Sequence, residues 1–147
     1  MKKPAIILLV EDSEADIALT LDAFKEAGLD NKIHVCRNGQ EALDYLFAKD
    51  KYANREEYPI PDIILLDLKM PGIDGHDVLR RIKETDMLKR IPVIILTSSD
   101  EEGDRALSYD IGANSYLVKP VTFKGFIEVA RKVGEYWITI NVKPPIV

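Results

Sequence analysis

Three apolar runs of four or five residues in this chain each break off at a residue with chemistry to offer. Ile6 to Val10 stops at Glu11-Asp12, Ile63 to Leu66 at Asp67, and Val93 to Leu96 at Thr97; a shorter fourth run, Tyr116 to Val118, stops at Lys119-Pro120. Continuous apolar runs of this length, bounded by polar or turn residues, read as strands of a parallel sheet covered on both faces. In open α/β sheets, ligands bind just outside the carboxyl ends of the strands. The pattern therefore gathers three carboxylates, a hydroxyl and a lysine at one sheet edge, a set suited to a divalent cation and a phosphoryl group.

Helical patterns separate the runs. A helix is predicted from about Ser13 to Ala27, with Ile17, Leu21 and Phe24 on one face and Gly28 as its stop. Lys32 to Cys36 alternates as a less buried strand, and Asn38 followed by Glu41 reads as a capping box opening a second helix. Ala48 to Pro61 is polar and is expected to form an extended surface connection. A turn-rich loop, Lys69 to Gly75, precedes an amphipathic helix carrying Val78, Leu79 and Ile82; another helix runs from about Glu101 to Ile111, closed by Gly112. Phe123, Phe126, Ile127, Ala130 and Val133 mark the last. Sequential parallel strands need right-handed helical crossovers, which place helices on both faces. The expected fold class is α/β, a doubly wound five-stranded parallel sheet, flavodoxin-like, in strand order 2-1-3-4-5.

Composition narrows the function classes. A chain of 147 residues, 46% hydrophobic, suffices for one well-buried domain. Twenty basic against twenty-five acidic residues give a net charge of −5, which disfavours nucleic acid or an anionic membrane as partner. Cys36 is the lone cysteine and fits a reducing compartment; the apolar stretch after Met1-Lys2-Lys3-Pro4 is too short for a signal peptide, and no run reaches membrane-spanning length, so a cytoplasmic location is expected. His34 and His76, the only histidines, are expected at the surface.

Two unit charges about 4 Å apart at an effective dielectric near 20 interact by roughly 4 kcal/mol, so clustering Glu11, Asp12 and Asp67 without a cation is costly. Oxygen-only ligands with room for water fit Mg²⁺, with Mn²⁺ as a possible substitute. Asp12 and Asp67 are the expected direct ligands, with Glu11 acting through water or after the chain turns. Asp67, at the end of the central strand, is placed to attack phosphorus directly. Lys119 would offset the developing charge and the Thr97 hydroxyl would hydrogen-bond a phosphoryl oxygen.

The joint occurrence of Glu11-Asp12, Asp67 with Met70-Pro71-Gly72-Ile73-Asp74-Gly75, Thr97, and Tyr116 three residues before Lys119-Pro120 resembles a response-regulator receiver domain from about Ile6 to Val133. The resemblance implies that Asp67 is the phosphoacceptor in an Mg²⁺-dependent reaction, that the Lys69 backbone carbonyl is a further metal ligand, that the Lys119-Pro120 bond is cis, and that a sensor histidine kinase is the phosphodonor. Lys69 and Ser99 are positions where the family varies and tunes the lifetime of the phosphorylated form. The long connection before the third strand and the ending through Tyr136-Trp137 to Pro144-Pro145 are similar to single-domain regulators paired with bacterial and cyanobacterial phytochromes. The division expected is a receiver domain over residues 1–135 and a C-terminal extension over 136–147, leaving no room for an output domain. Signalling is then expected through protein contacts, with Thr97 and Tyr116 as the switch pair. The apolar ending, with Trp137, Ile138, Ile140, Val142, Ile146 and Val147, points to a homodimer, or else to Trp137 folding back on its own domain.

Three other classes share parts of this pattern. A flavodoxin-type FMN protein has the same fold, but Glu11-Asp12-Ser13-Glu14 would repel its phosphate. A haloacid-dehalogenase-like phosphatase should carry a second aspartate where Lys69 stands. A receiver-fold interaction module that is never phosphorylated stays open on the residues alone.

Overall fold

Branched and long aliphatic side chains, which suit a pleated surface buried on both sides, build five strands: β1 (Ile6–Val10), β2 (Lys32–Cys36), β3 (Ile63–Leu66), β4 (Val93–Thr97) and β5 (Ser115–Val118). In this computed structural model, which describes residues 5–141 and the side chains of residues 5–136, they pair in parallel in the order β2-β1-β3-β4-β5. This is the expected doubly wound sheet. Helices α1 (Glu14–Glu26) and α5 (Phe123–Asn141) cover one face; α2 (Gly39–Leu46), α3 (Gly75–Glu84) and α4 (Glu102–Ile111) cover the other. Among the described residues, no helix is long and apolar enough to cross a membrane.

The central strand β3 is wholly inaccessible, each of its residues 0% exposed. Burying one such Leu or Ile contributes about 1.5–3 kcal/mol, so β3 is the most firmly held platform on which a side chain can be mounted. The ladder runs past the strand ends: Asp67 N–H donates to the Val10 carbonyl at 3.1 Å, Glu11 N–H to the Cys36 carbonyl at 2.9 Å and Lys119 N–H to the Thr97 carbonyl at 2.7 Å. The backbones of the site residues are therefore fixed before their side chains are considered.

Helix ends follow their caps. Ser13 Oγ accepts from Asp16 N–H at 3.2 Å, and Asn38 Oδ1 from Glu41 N–H at 2.8 Å. The reciprocal half of the expected capping box does not form, because the Glu41 carboxylate accepts from the Tyr52 hydroxyl at 3.0 Å instead. Gly28 and Gly112 end their helices with φ of 75° and 128°, the left-handed region that glycine enters without a Cβ penalty.

Residues 48–61 differ from the expected extended connection. They contain a 3-10 helix, Asp50–Tyr52, and return two aromatic side chains to the domain. Tyr52 is buried, and the Tyr45, Tyr52 and Tyr58 rings meet with centroids 4.9–5.8 Å apart, His34 tilting against Tyr45 and Tyr58. Arg55 donates to the carbonyls of Tyr45, Leu46 and Tyr58 at 3.0, 2.7 and 3.3 Å, tying the segment to the last turn of α2, whose carbonyls lack intrahelical donors. The segment reads as polar because its tyrosines are scattered among charges; the contact area that an aromatic ring buries outweighs that polarity.

His76 is a second departure. It is buried, with Nε2 3.1 Å from Ser108 Oγ and 3.3 Å from the Asp104 carbonyl. A polar ring is tolerated there because α4 supplies both partners. α5 continues as helix through Asn141. The side chains of Trp137, Ile138 and Ile140, and all of Val142, Ile146 and Val147, lie outside the described residues, and so does the association surface expected of them.

Candidate functional site

The ends of β1, β3 and β5 bring Glu11, Asp67 and Lys119 together. Glu11 and Asp67 are 2% and 3% exposed, a degree of burial rare for carboxylates unless they are paired. Lys119 supplies the pairing. Its Nζ lies 2.6 Å from Glu11 Oε1, 2.9 Å from Asp67 Oδ2 and 2.8 Å from Asp16 Oδ2. Burial alone would lower the Lys119 pKa, but hydrogen bonds to Asp16, Glu11 and Asp67 outweigh it and hold the ammonium charged, above its ordinary range.

The remaining oxygens are oriented by backbone amides. Ser13 N–H donates to Glu11 Oε2 and Lys69 N–H to Asp67 Oδ1, each at 3.1 Å. α3 can start close behind Asp67 because residue 75 is glycine: a Cβ there would fall 2.6 Å from Leu68 Cα and 2.8 Å from the Asp67 carbonyl oxygen. Asp12, the next residue after Glu11, is exposed at the mouth.

One carboxylate oxygen from each of Glu11, Asp12 and Asp67 lies within 4.8 Å of the others. This is an all-oxygen set open to water on the Asp12 side, the donor chemistry of a hard divalent cation that retains part of its hydration shell. Burial pushes the Glu11 carboxyl up to about 7; the Lys119 hydrogen bond pulls it back, and the Asp67 charge adds to the rise. One lysine therefore does not fully offset the acidic charge, and the residues fit a divalent ion.

Thr97 is fully buried at the end of β4, its Oγ1 accepting from Ser99 N–H at 3.4 Å. Tyr116 is 9% exposed and donates its hydroxyl to the Ser99 carbonyl at 2.8 Å, with the Arg105 guanidinium 5.7 Å from its ring centre. The β4–β5 register pairs Ile95 with Tyr116 and Thr97 with Val118. Thr97 and Tyr116 are thus joined through the segment Ser99 belongs to.

The Lys119–Pro120 bond is trans, as is every peptide bond among the described residues, which corrects the expected cis bond. The trans form of an X–Pro bond is intrinsically favoured by about 0.5–1 kcal/mol. Here it sets the Pro120 ring where a Cβ on Gly125 would approach it to 2.4 Å, so the turn into α5 is accommodated by glycine.

Two site residues escape sequence reasoning. Asp16 reaches Lys119 across 103 positions of chain; its only local signal is an acidic residue in the first turn of a helix that begins where β1 ends. Asp104 of α4 takes Lys69 Nζ at 3.0 Å and the Ser99 hydroxyl at 2.6 Å, and no periodicity in the sequence singles it out.

Comparison with known proteins agrees with this geometry. The family model for the response regulator receiver domain matches residues 7–131. The chain is 39% identical over 141 residues to the probable methanogenesis regulatory protein FilR2 of Methanothrix harundinacea, covering 96% of this chain and 88% of that one. It is 38% identical over 141 residues to response regulator Rcp1 of Synechocystis sp., covering 96% and 94%. Among solved structures, the phosphorylated cyanobacterial phytochrome response regulator RcpA superposes with a TM-score of 0.87 at 36% identity, covering 97% of this chain and all (100%) of that one. The Mn²⁺-bound form of Rcp1 gives 0.82 at 38%, with the same coverage. With a parallel sheet whose strand ends converge on a buried aspartate, and relatives matched over nearly their whole length, this chain belongs to the response regulator receiver domain family of two-component signalling.

Proposed function

We propose that the protein accepts a phosphoryl group on Asp67 from a sensor histidine kinase in an Mg²⁺-dependent reaction, and signals through protein contacts. The observation that carries this reading is the buried Asp67 carboxylate, bonded through Oδ2 to Lys119 and within 4.8 Å of Glu11 and Asp12 oxygens. An Asp67 oxygen forms a bond to phosphorus as the P–N bond to the donor imidazole breaks, leaving an aspartyl phosphate and a free imidazole. Asp67 and Asp12 would hold Mg²⁺ directly, together with the Lys69 carbonyl, while Glu11, already engaged by Lys119, would act through water. The bound ion supplies charge neutralisation across the carboxylates and the incoming phosphoryl oxygens.

Lys119 contributes a fixed positive charge that needs no proton transfer. Its bond to Asp16 keeps the ammonium at the site when Asp67 oxygens are occupied by phosphorus. Thr97 would donate its hydroxyl to a phosphoryl oxygen. That pull acts on the backbone shared with Ser99, whose carbonyl receives the Tyr116 hydroxyl, and so biases the Tyr116 ring between two positions.

On this reading residues 1–135 form the receiver unit and 136–147 an extension that serves self-association, with a homodimer as the expected assembly and the cytoplasm as the location. The likeness to RcpA and Rcp1 favours a phytochrome-type kinase as donor. The test is to incubate the protein with acetyl phosphate and Mg²⁺ and weigh it intact. One acid-labile, hydroxylamine-sensitive phosphoryl group is expected, absent in Asp67→Asn and in EDTA. Phosphorylation that persists in either sample refutes the assignment. Sedimentation of the full chain and of a form truncated before Tyr136, with and without a phosphate mimic and Mg²⁺, decides the dimer; monomers throughout would exclude it.

A further inference from the structure

Lys69, two residues after Asp67, and Ser99, two residues after Thr97, meet at one carboxylate. Lys69 begins at the phosphoacceptor, its own N–H bonded to Asp67 Oδ1 at 3.1 Å. Ser99 begins at the switch hydroxyl, its N–H bonded to Thr97 Oγ1 at 3.4 Å. Both side chains turn away to Asp104 Oδ2 in the first turn of α4, the ammonium at 3.0 Å and the hydroxyl at 2.6 Å. Asp104 is itself held: its carbonyl accepts from Ser108 Oγ at 2.7 Å and lies 3.3 Å from the buried His76 ring. Charge and hydrogen bonding agree with the geometry, since Ser99 and then Lys69 lower the Asp104 pKa, and Asp104 raises that of Lys69.

We propose that Asp104 is a positioning residue for the phosphoryl site, holding the Lys69 ammonium away from Asp67 and thereby setting how long a phosphoryl group on Asp67 survives. The inference rests on Asp67 being phosphorylated. The physical case is a competition for one cation. The Lys69–Asp104 pair is half-exposed on the lysine side, 52% against 18%, and such pairs are weak. A phosphoryl group brings close to two negative charges and three acceptor oxygens, within reach of a lysine stem that starts two residues from the phosphorylated aspartate. Hydrolysis requires water to attack phosphorus opposite the Asp67 oxygen, releasing the free carboxylate and inorganic phosphate. An ammonium seated on the phosphoryl oxygens obstructs that approach. While Asp104 retains Lys69, the approach stays open.

Asp104→Asn keeps an acceptor for the Ser99 hydroxyl but removes the charge that retains Lys69. After phosphorylation with acetyl phosphate and Mg²⁺ and removal of the donor, the aspartyl phosphate in Asp104→Asn should outlast wild type by about two- to fivefold, the range an exposed ion pair supplies. In a Lys69→Gln background the same substitution should change the lifetime by less than about 1.5-fold, because no cation is left to release. Asp104→Glu should restore the wild-type value. A merely structural role for Asp104 would move both backgrounds alike. Equal effects with and without Lys69, or an unchanged lifetime in Asp104→Asn, overturns this inference alone; failure of wild type to take up phosphate overturns it together with the assignment of Asp67.

Discussion

Replacing Lys119 by methionine isolates what one buried cation does for the acidic site. In the native chain the ammonium is 2.6 Å from Glu11 and 2.9 Å from Asp67, with 10% of its side chain exposed. Without it, two carboxylates with oxygens within 4.8 Å of each other are left in the interior, where like charges at that spacing repel by about 3.5 kcal/mol at an effective dielectric near 20. Methionine fills most of the lysine stem's volume, so the loss is chiefly electrostatic. Removing one partner from a buried ion pair costs about 3–5 kcal/mol, and that is the loss of unfolding free energy expected in metal-free buffer at neutral pH. The pH dependence has a definite sign. Glu11 is already pushed above its unfolded value, to about 7, and loss of Lys119 moves it further the same way. The folded state therefore keeps a proton that the unfolded state releases, so the penalty shrinks as pH falls and is full at high pH. Urea unfolding of wild type and Lys119→Met at about pH 5.5 and about pH 8, with and without Mg²⁺, measures it. The variant should regain stability at the lower pH and, separately, on adding Mg²⁺, whose charge substitutes for the ammonium. A deficit equal at both pH values and indifferent to Mg²⁺ would mean that lost packing, not unpaired charge, is the cause.

Mg²⁺ affinity should climb as pH rises toward about 7 and then level off, with proton release on binding, because Glu11 must ionise to serve the ion; calorimetry in buffers of different ionisation enthalpy reads this, and Glu11→Gln should flatten the profile. Thr97→Ala should still take up phosphate on Asp67 but lose the phosphate-dependent shift of Tyr116 resonances; wild-type shifts in that variant would break the proposed coupling. Gly75→Ala should lower stability by about 1–3 kcal/mol, the cost of overpacking, since the new Cβ would sit 2.6 Å from Leu68 Cα. A thermal midpoint unchanged within a degree or so, where about 2–4 °C per kcal/mol is usual, would show that α3 can move aside.

The strand ends were readable because a parallel sheet converts linear order into position. Val10, Leu66 and Leu96 end runs whose apolar character requires burial on both faces, and whatever follows such a run emerges at one edge. Glu11, Asp12, Asp67 and Lys119 were found by that logic alone. Asp16 was not, since its partner lies on a strand four crossovers away and helix periodicity carries no information on what faces a helix N-terminus. His76 was misplaced for a related reason: a histidine opening a helix is ordinarily exposed, and its burial depends on Ser108 and Asp104 arriving from α4. The 48–61 connection was misread because composition averages over residues, while Tyr52 and Tyr58 act singly. The trans Lys119–Pro120 bond overturned an expectation drawn from family likeness, which no spacing in the chain had supplied.

The clasp that Arg55 forms on the end of α2 has a kinetic consequence. Its bonds to Tyr45, Leu46 and Tyr58 and the Tyr45–Tyr52–Tyr58 contacts close within residues 45–58, and none of them involves Asp67 or Lys119. Beyond them the segment is tied to the domain by the Tyr52 hydroxyl on Glu41 and the His34 ring against Tyr45 and Tyr58, few enough contacts for residues 48–58 to open and reclose while the sheet stays paired. Amide hydrogens of 48–58 should then exchange together, faster than those of β3 by many orders of magnitude and at a rate insensitive to Mg²⁺ or phosphoryl donors. Arg55→Ala should accelerate that exchange while leaving the protection of β3 unchanged.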